Sequence, residues 1–360
     1  MSNFKEYVSY DTVIKQCEEK NACIHQIEQL KNSKTSDEFY RTITDNIQWI
    51  AQNDIYVDWV KLRKYWMQDN TKPINVLSYF DGLSGAHLAL DKIGIKINHY
   101  FASEIDKPAI TVTNANYPDT IQLGDVTKIN FDALPKIDLL IGGFPCQSFS
   151  KFGKGLNFDD PRGKLFFECI KALKELKPKY FLFENVKMKK EWRDYISNLV
   201  GVEPIQIDSG LLTGQRRVRN YWTNIPNVKQ PEDKKIKLQD VIGDYTEKDV
   251  FHEKHLKWWH EKQEFQIRRY FSRLDPEKAM TLIASQGSQQ GGTVLSCGFD
   301  ENLQQENFRN LSPEECEMLQ GIPRKYTDHV SRRQRFKMVG NGFSVDTIAH
   351  ILQGMKEVYK

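Results

Sequence analysis

The stretch Asn75-Val-Leu-Ser-Tyr-Phe-Asp-Gly-Leu-Ser-Gly85 joins an apolar run to a glycine-containing turn and then to a helix-like segment. An apolar run bounded in this way predicts a buried strand, and the two glycines let the turn backbone approach a ligand. The first amide groups of the following helix are then free to bind that ligand. The spacing departs from the G-x-G-x-x-G pattern of dinucleotide sites, which disfavours a nicotinamide dehydrogenase.

The same alternation of apolar runs and helix-like segments continues beyond this stretch. The predicted strands are 75–80, 100–105, 120–124, 137–141, 180–183 and 204–207, and the predicted helices are 84–92, 107–116, 163–176 and 190–199. This order predicts an α/β fold with a doubly wound, mostly parallel sheet, Rossmann-like in architecture. Ligands of such sheets bind at the carboxyl ends of the strands.

Composition changes on both sides of the alternating region. Residues 1–72 carry apolar residues at helical spacing and predict an N-terminal helical extension. The alternation is lost over 227–310, which predicts a smaller, irregular or β-rich domain. The main domain then spans 73–226, and 311–360 returns to it, beginning with a helix capped by Ser312.

Composition also restricts the class of protein. The 360 residues are 39% hydrophobic, which suffices for a large core, and 51 basic against 48 acidic residues give a net charge of +3. Any basic binding surface must therefore be local. The six cysteines are scattered and predict free thiols. With no long apolar run and no secretory signal, we expect a cytoplasmic or nucleoid-associated protein without a membrane span.

Acidic residues follow the second and third predicted strands. Glu104 lies about 20 residues beyond the glycine turn, where a carboxylate can accept hydrogen bonds from a ribose diol. Asp125 is placed at the same edge and can accept from an adenine amino group. No basic residue lies near the glycines to favour a pyrophosphate, so the pattern indicates a nucleoside ligand without phosphates.

A cysteine and a glutamate follow the fourth and fifth strands. Cys146 lies just past the strand on a turn stiffened by Pro145, at the exposed end where a nucleophile belongs. Glu184 directly follows an apolar strand and is a candidate acid with a raised pKa. None of the eight histidines falls at a strand end, which is unlike a hydrolase.

A basic motif, Gln215-Arg-Arg-Val-Arg219, precedes the aromatic run 220–222. On a strand, Gln215, Arg217 and Arg219 would share one face. Such a face suits an anionic or carbonyl-bearing substrate.

These motifs together resemble the C5-cytosine DNA methyltransferases. The blocks in family order are Phe-Asp-Gly-Leu-Ser-Gly (80–85), Glu104, Gly-Asp (124–125), Gly-Gly-Phe-Pro-Cys-Gln-Ser (142–148), Glu-Asn-Val (184–186), Gln-x-Arg-x-Arg (215–219) and Gly-Asn-Gly (340–342). The block 311–321 is also similar to the one before the family's C-terminal helix. The resemblance covers about 73–225 and 308–355. Residues 76–82 and 102–104 look most similar to the de novo branch of vertebrates and its phage and bacterial relatives.

The resemblance implies S-adenosylmethionine (AdoMet) as the cofactor and S-adenosylhomocysteine (AdoHcy) as its product, and no metal. The implied cofactor residues are Phe80, Gly82, Gly85, Glu104, Asp125, Pro145, Leu165 and Asn341. Two positions depart from the common pattern. Ser84 stands where many members have glycine, and Gly342-Phe343-Ser344 replaces the commoner Gly-Asn-Ser-Val, which leaves contacts beyond Asn341 open.

The resemblance also implies the chemistry. Cys146 would add to C6 of a cytosine flipped out of double-stranded DNA, and Glu184 would protonate N3. Arg217 and Arg219 would orient the base and the thiolate. The implied DNA contacts are Gln147, Ser150, Arg162 and Gln215.

The segment 227–310 would be the target-recognition domain, with basic runs at 254–273 and 324–337 as candidate phosphate contacts. Two alternatives remain open at this point: a tRNA cytosine methyltransferase of the same fold, and a catalytically silent nucleic-acid-binding paralogue. Residues 1–72 could also bind a protein partner. Restriction-modification, phage protection and epigenetic roles are equally compatible with the motifs.

Overall fold

A computed structural model describes residues 73–145, 165–243, 245–251, 273–274, 276–285, 292–300 and 305–359, together with Ile14, Lys15, Cys17, Lys257 and Glu261. The predicted extension over 1–72 therefore lies almost wholly outside the described residues. So do Cys146, Gln147, Ser150 and Arg162.

The main sheet has seven strands in the order β3-β2-β1-β4-β5-β7-β6. They are β1 (Ile74–Tyr79), β2 (Ile97–Ser103), β3 (Ile121–Gln122), β4 (Leu139–Gly143), β5 (Tyr180–Val186), β6 (Ile205–Asp208) and β7 (Val218–Thr223). All pairings are parallel except those of β7, which runs antiparallel to β5 and β6. The strand order reverses between β1 and β4, which makes the sheet doubly wound and confirms the predicted fold class.

Helices cover both faces of this sheet. They are α1 (Gly85–Lys92), α2 (Lys107–Asn116), α3 (Phe166–Leu176), α4 (Lys190–Val200), α5 (Pro313–Leu319), α6 (Arg332–Asn341) and α7 (Val345–Tyr359). Alternate residues of β1 point to opposite faces, so Val76 joins one apolar cluster and Leu77 another. The cluster around Val76 includes residues of α7, so the C-terminal segment completes the core of the main domain. The predicted cap at Ser312 is confirmed as a capping box with Glu315.

Several strand boundaries differ from those predicted. Strand β3 stops at Gln122, and Gly124 adopts a left-handed conformation with φ of 71°. Strand β5 extends through Glu184 to Val186 because β7 pairs with it over that length. Strand β7 begins only at Val218, so Arg219 alone of the three residues predicted to share a face lies in it. Gln215 forms an isolated bridge with Ala279 instead.

A second sheet lies within the range predicted for the smaller domain. It contains β8 (Arg273–Leu274), β9 (Thr293–Asp300) and β10 (Gln305–Asn310) in the order β10-β9-β8. The domain boundaries themselves stay predictions. In the part of the chain that the structure describes, no helix is long and apolar enough to cross a membrane.

Candidate active site

The turn after β1 has an unusual backbone. Phe80, Gly82 and Ser84 have φ values of 54°, 61° and 61°, so three of five successive residues are left-handed. Only glycine adopts this region without cost, and for Phe80 and Ser84 the surrounding structure must enforce it. The turn leads straight into α1, whose first residue is the buried Gly85.

The buried carboxylate of Asp81 accepts hydrogen bonds that hold this turn in place. Asp81 accepts hydrogen bonds from the Ser84 hydroxyl and the Tyr100 hydroxyl, each at 2.6 Å. The Ser84 hydroxyl lies 2.9 Å from Thr113 Oγ1, and the Tyr326 hydroxyl donates to Leu83 O at 2.9 Å. Burial raises the pKa of Asp81 to about 6, although the hydroxyl donors lower it. Ser84, which stands where many members of the family have glycine, thus contributes hydrogen bonds that hold the turn.

Glu104 reaches the turn from the end of β2. Its Oε2 accepts from the Gly82 amide at 2.8 Å, and its Oε1 accepts from the Ile105 and Asp106 amides at 2.8 Å each. A carboxylate has about four lone-pair sites, so three backbone donors orient Glu104 and leave acceptor capacity. This arrangement fits the ribose contact that the sequence predicts.

Asp125 lies at the same edge, beyond β3. Its Oδ1 accepts from the Thr127 amide at 3.0 Å and from the Thr127 hydroxyl at 2.9 Å. These hydrogen bonds hold the pKa of Asp125 below its usual value, so the side chain is a charged acceptor. An acceptor at this position fits an adenine amino group.

The residues at this edge therefore fit AdoMet. The left-handed turn, the oriented Glu104 and the ionised Asp125 follow β1, β2 and β3, next to the point where the strand order reverses. Pro145 and Leu165 are half-buried on either side of the segment 146–164, and Asn341 is the exposed last residue of α6. The sequence indicated no role for Asp81 or Tyr100. Their buried side chains stabilise this edge of the sheet through the hydrogen bond between them.

Glu184 forms a buried ion pair at the end of β5. Its Oε1 lies 2.9 Å from Arg219 Nε, and the two side chains are only 15% and 13% exposed. Burial raises the pKa of Glu184, against the opposing effects of Arg219 and Arg217. The raised pKa expected from the sequence is thus confirmed, and Arg219 fixes which way the carboxyl group points.

Gly143 provides room for this pair on the neighbouring strand. It lies directly across from Glu184 in the pairing of β4 with β5. A Cβ at Gly143 would lie 3.1 Å from Glu184 Oε2 and 2.8 Å from Phe343 Cε1. Phe343 also lies near Gly85, with its Cβ 3.6 Å from the position of a Cβ there. The departure from the common Gly-Asn-Ser-Val pattern therefore places an aromatic ring between the two ends of the site.

Asn185 is a residue whose role the sequence did not reveal. It is buried, and its side-chain amide donates to Phe144 O at 3.0 Å, two residues before Cys146. It thereby fixes the start of the segment that carries the predicted nucleophile. The sequence feature that could have indicated this role is its position between Glu184 and Val186, inside the Glu-Asn-Val block.

Arg217 and Gln215 form hydrogen bonds with other groups of the protein. The Arg217 guanidinium donates to the carbonyls of Leu282, Gly340 and Gly342 at 3.0, 3.1 and 2.9 Å. Gln215 is fully buried, and its amide bonds to Leu282, Leu319 and Gln320. A DNA contact by Gln215 would require these hydrogen bonds to break.

The basic run over 324–337 is partly neutralised inside the molecule. Arg332 pairs with Asp249, Arg335 with Glu314 and Glu317, and Lys337 with Asp106. At least three of its six basic residues thus have acidic partners, which weakens it as a phosphate surface. The run over 254–273 lies almost entirely outside the described residues.

The fold and the strand-end residues define an AdoMet-dependent methyltransferase. Among solved structures, a mutant DNMT2 of Spodoptera frugiperda is similar with a TM-score of 0.59 and 19% identity, over 79% of this chain and 99% of that one. The Dnmt2 of S. pombe is similar to the same degree, over 80% and 99%. At this identity the likeness shows the fold.

Sequence comparison identifies the family. A family model for C-5 cytosine-specific DNA methylase matches residues 74–197 and 212–357. The chain belongs to this family and is an AdoMet-dependent DNA cytosine-C5 methyltransferase, as its motifs predict.

The similar sequences include enzymes of bacteria and of a phage. The Type II methyltransferase M1.ScrFI of Lactococcus lactis subsp. cremoris is 32% identical over 320 residues, covering 80% of this chain and 79% of that protein. M.DsaV of Dactylococcopsis salina, also a Type II methyltransferase, is 30% identical over 79% of this chain and 86% of its own length. The Orphan methyltransferase M.Rho11sI of Bacillus phage rho11s is 47% identical over 116 residues, which are 32% of this chain and 23% of that protein. The expected phage and bacterial relatives are confirmed, and the likeness to the vertebrate branch stays a prediction.

Proposed function

We propose that this methyltransferase modifies cytosine in double-stranded DNA through a temporary covalent bond between Cys146 and C6 of the base. The observation that carries the proposal is the buried Glu184–Arg219 pair opposite Gly143, three residues before Cys146. Cytosine C5 is a weak nucleophile, so the ring must first be activated. A thiolate that adds to C6 sends the ring electrons toward N3 and C5.

Glu184 supplies the acid in this proposal. Burial shifts the pKa of Glu184 upward, toward the protonated carboxyl group, while Arg219 and Arg217 act in the opposite direction. Protonation of N3 stabilises charge that appears only as the thiolate adds. Arg219 holds the carboxyl group in place and offers its remaining N–H groups to the ring carbonyl. The positive charge of Arg217 acts on the Glu184 carboxyl group, and the carbonyl groups that Arg217 binds hold it in position. AdoMet supplies the electrophilic methyl group when it is bound. C5 gains the methyl group and then loses its proton to solvent. The double bond between C5 and C6 re-forms and expels the Cys146 thiolate, and N3 returns its proton to the Glu184 carboxylate.

The cofactor residues are assigned in the same proposal. Glu104 would hold the ribose and Asp125 the adenine end, while the turn over 80–85 would contact the rest of the cofactor. Pro145, Leu165 and Asn341 would close the site. The second sheet and its surroundings, 227–310, would recognise the DNA sequence, with Gln147, Ser150 and Arg162 contacting the flipped base or its strand.

The biological setting is a proposal as well. The full-length relatives are named Type II methyltransferases, which supports a role beside a restriction enzyme. The phage relative is named an orphan methyltransferase, which supports a role without one. Either role places the chain with the DNA of a cell, in the cytoplasm or at the nucleoid.

The test is transfer of labelled methyl groups from AdoMet to unmodified duplex DNA, with tRNA as a parallel substrate. We expect transfer to DNA by the wild type and none by Cys146→Ser. Cys169→Ser is the matched control, because Cys169 is a buried cysteine of α3 that the proposal gives no role. Mapping the methylated bases would then give the target site. Transfer to tRNA alone would contradict the proposed substrate, and full activity in Cys146→Ser would contradict the covalent step.

A further inference from the structure

Three segments that are distant in sequence meet beside the start of β7. They are 214–217, 279–284 and 339–342. The Arg216 amide donates to Ala279 O at 2.9 Å, and the Ala279 amide donates to Gly214 O at 2.8 Å. This short bridge brings the second segment against the strand that carries Arg219.

Side chains from the first segment bind both main-chain polar groups of one residue, Leu282, in the second. The Leu282 amide donates to Gln215 Oε1 at 2.8 Å, and Leu282 O accepts from Arg217 Nη1 at 3.0 Å. The other end of the Gln215 amide donates to Leu319 O and to Gln320 Oε1, both at 3.1 Å. Gln215, Arg217 and Gln320 are at most 3% exposed, so water does not compete for these bonds.

The same side chains also hold the third segment. Arg217 Nη2 donates to Gly340 O at 3.1 Å and to Gly342 O at 2.9 Å. Gln320 Nε2 donates to Val339 O at 2.8 Å and to Gly342 O at 3.3 Å. One guanidinium group and two amides thus join all three segments in a single buried network.

The second and third segments are also in direct backbone contact. A Cβ on Gly340 would lie 2.3 Å from the carbonyl carbon and oxygen of Ile283, and 2.6 Å from the Ala284 nitrogen. Only a residue without a side chain permits this approach. The two segments therefore pack main chain against main chain, with no side chain between them.

Each segment leads to a different part of the proposed function. The Met280 amide donates to Thr293 Oγ1 at 2.9 Å, which ties 279–284 to β9 in the proposed recognition domain. The segment 339–342 carries Asn341 and continues into Phe343, beside Gly143 and Gly85. The network therefore connects the proposed DNA-reading part with the proposed cofactor-closing part.

We propose that Gln215, Arg217 and Gln320 are positioning residues that couple DNA binding to cofactor binding. Whichever ligand binds first orders the shared contact between 283–284 and 340, so the second ligand binds a segment that is already ordered. By thermodynamic reciprocity, DNA must then tighten the cofactor complex by the factor by which the cofactor tightens the DNA complex. This inference rests on the proposed function, because it takes the turn at 340–343 as part of the AdoMet site.

Gln320→Met in the full chain tests the coupling. Gln320 touches neither reacting group in the proposed mechanism, and methionine is of similar size but lacks both the donor and the acceptor. Calorimetry would measure the dissociation constant of AdoHcy with and without an unmethylated duplex that carries the mapped target site. We expect the duplex to tighten AdoHcy binding by about fivefold or more in the wild type. In Gln320→Met we expect less than about half of that factor to remain.

Ser197→Ala serves as the matched control. Ser197 is buried and accepts a hydrogen bond from Trp222 Nε1 at 3.0 Å, away from the three segments. This variant loses a buried hydrogen bond without touching the network, so its coupling factor should match that of the wild type. Thermal unfolding would establish that both variants are folded.

Hydrogen exchange gives a second readout that does not depend on DNA. AdoHcy alone should slow exchange of the Leu282 amide in the wild type and have little effect there in Gln320→Met. Equal coupling factors in the wild type and the variant, or no coupling in the wild type, would overturn the inference. Failure of the proposed function is distinct, because the wild type would then transfer no methyl group to DNA.

Discussion

The cofactor turn and the catalytic pair occupy the same edge of the sheet, yet they are held in place differently. Within the turn, the hydrogen bonds made by Asp81, Gly82 and Ser84 reach partners at most 31 positions away in the chain. Beside the catalytic pair, Arg217 binds carbonyls that are 65, 123 and 125 positions away. The hydrogen bonds of the turn are thus mostly local, with the bond from Tyr326 to Leu83 O, across 243 positions, as an exception. The catalytic side instead requires segments that are distant in the chain to come together.

This difference has a functional consequence. A turn held mainly by neighbouring residues can keep its own backbone shape, although the segment 340–343, which completes the proposed cofactor site, belongs to the long-range network. A catalytic strand fixed through 279–284 and 339–342 responds to both of those segments. The geometry therefore separates a cofactor turn with mostly local contacts from a catalytic strand that depends on distant segments.

The largest expected effect tests the catalytic side. Glu184→Gln removes the proton donor but keeps the shape of the side chain, so we expect kcat to fall by about 10²–10⁴-fold. The affinity for AdoHcy should stay nearly unchanged, because the hydrogen bonds that hold the turn over 80–84 do not involve Glu184. Methyl transfer in single turnover and AdoHcy calorimetry measure the two quantities.

Glu191→Gln is the control for this change. Glu191 lies in the first turn of α4 with its side chain 61% exposed, and it should leave kcat as it is. A Glu184→Gln enzyme with wild-type kcat would remove Glu184 from the mechanism. A large loss of AdoHcy affinity would instead show that the two sides are not independent.

The contrast between local and long-range contacts also determines how much of each site the sequence could predict. The strand–turn–helix order, Glu104, Asp125 and the raised pKa of Glu184 all follow from patterns a few residues long. The binding partners of Arg217 do not, because nothing near position 217 indicates a contact with Gly342. The strand that was expected to carry Gln215 and Arg217 begins only at Val218, since the chain there bridges Ala279 instead.

Asp81 shows the same limit on the cofactor side. The sequence places it in a turn, where a carboxylate would ordinarily face water. The structure buries it under the turn, because Tyr100 and Ser84 both point their hydroxyl groups at it. The contact with Tyr100 could not be assigned before β1 and β2 were paired in register.

A second, smaller effect tests the local side through pH. The pKa of Asp81 is raised by burial from 3.8 to about 6, so the folded chain holds a proton that the unfolded chain releases. This contribution to stability is complete below the unfolded pKa and is lost as the pH rises through about 6. Asp81→Asn cannot titrate. The difference in unfolding free energy between wild type and Asp81→Asn should therefore fall by about 2 kcal/mol between about pH 4.5 and about pH 7.5.

Urea unfolding at the two pH values measures this double difference, in which the other titrating groups cancel. Asp194→Asn is a suitable control, because Asp194 is a surface carboxylate whose pKa is lowered by its hydrogen bond with Lys190. The difference in unfolding free energy between wild type and Asp194→Asn should not fall between the two pH values. A pH-independent difference for Asp81→Asn would show that the buried carboxylate is not the titrating group.

The smallest expected effect tests the backbone contact on the catalytic side. Gly340 lies inside α6, where alanine would ordinarily stabilise a helix by about 1 kcal/mol. Here the added Cβ would meet the Ile283 carbonyl at 2.3 Å, and overpacking of this kind costs about 1–3 kcal/mol. The clash should win, because both partners are main chain and cannot rotate away, so Gly340→Ala should lose about 1 kcal/mol. Gly243→Ala is the control, since a Cβ there meets nothing within 4 Å. If Gly340→Ala were as stable as the control, the close approach of 283–284 to α6 would be wrong, and the long-range character of the catalytic side would rest on Arg217 and the two glutamines alone.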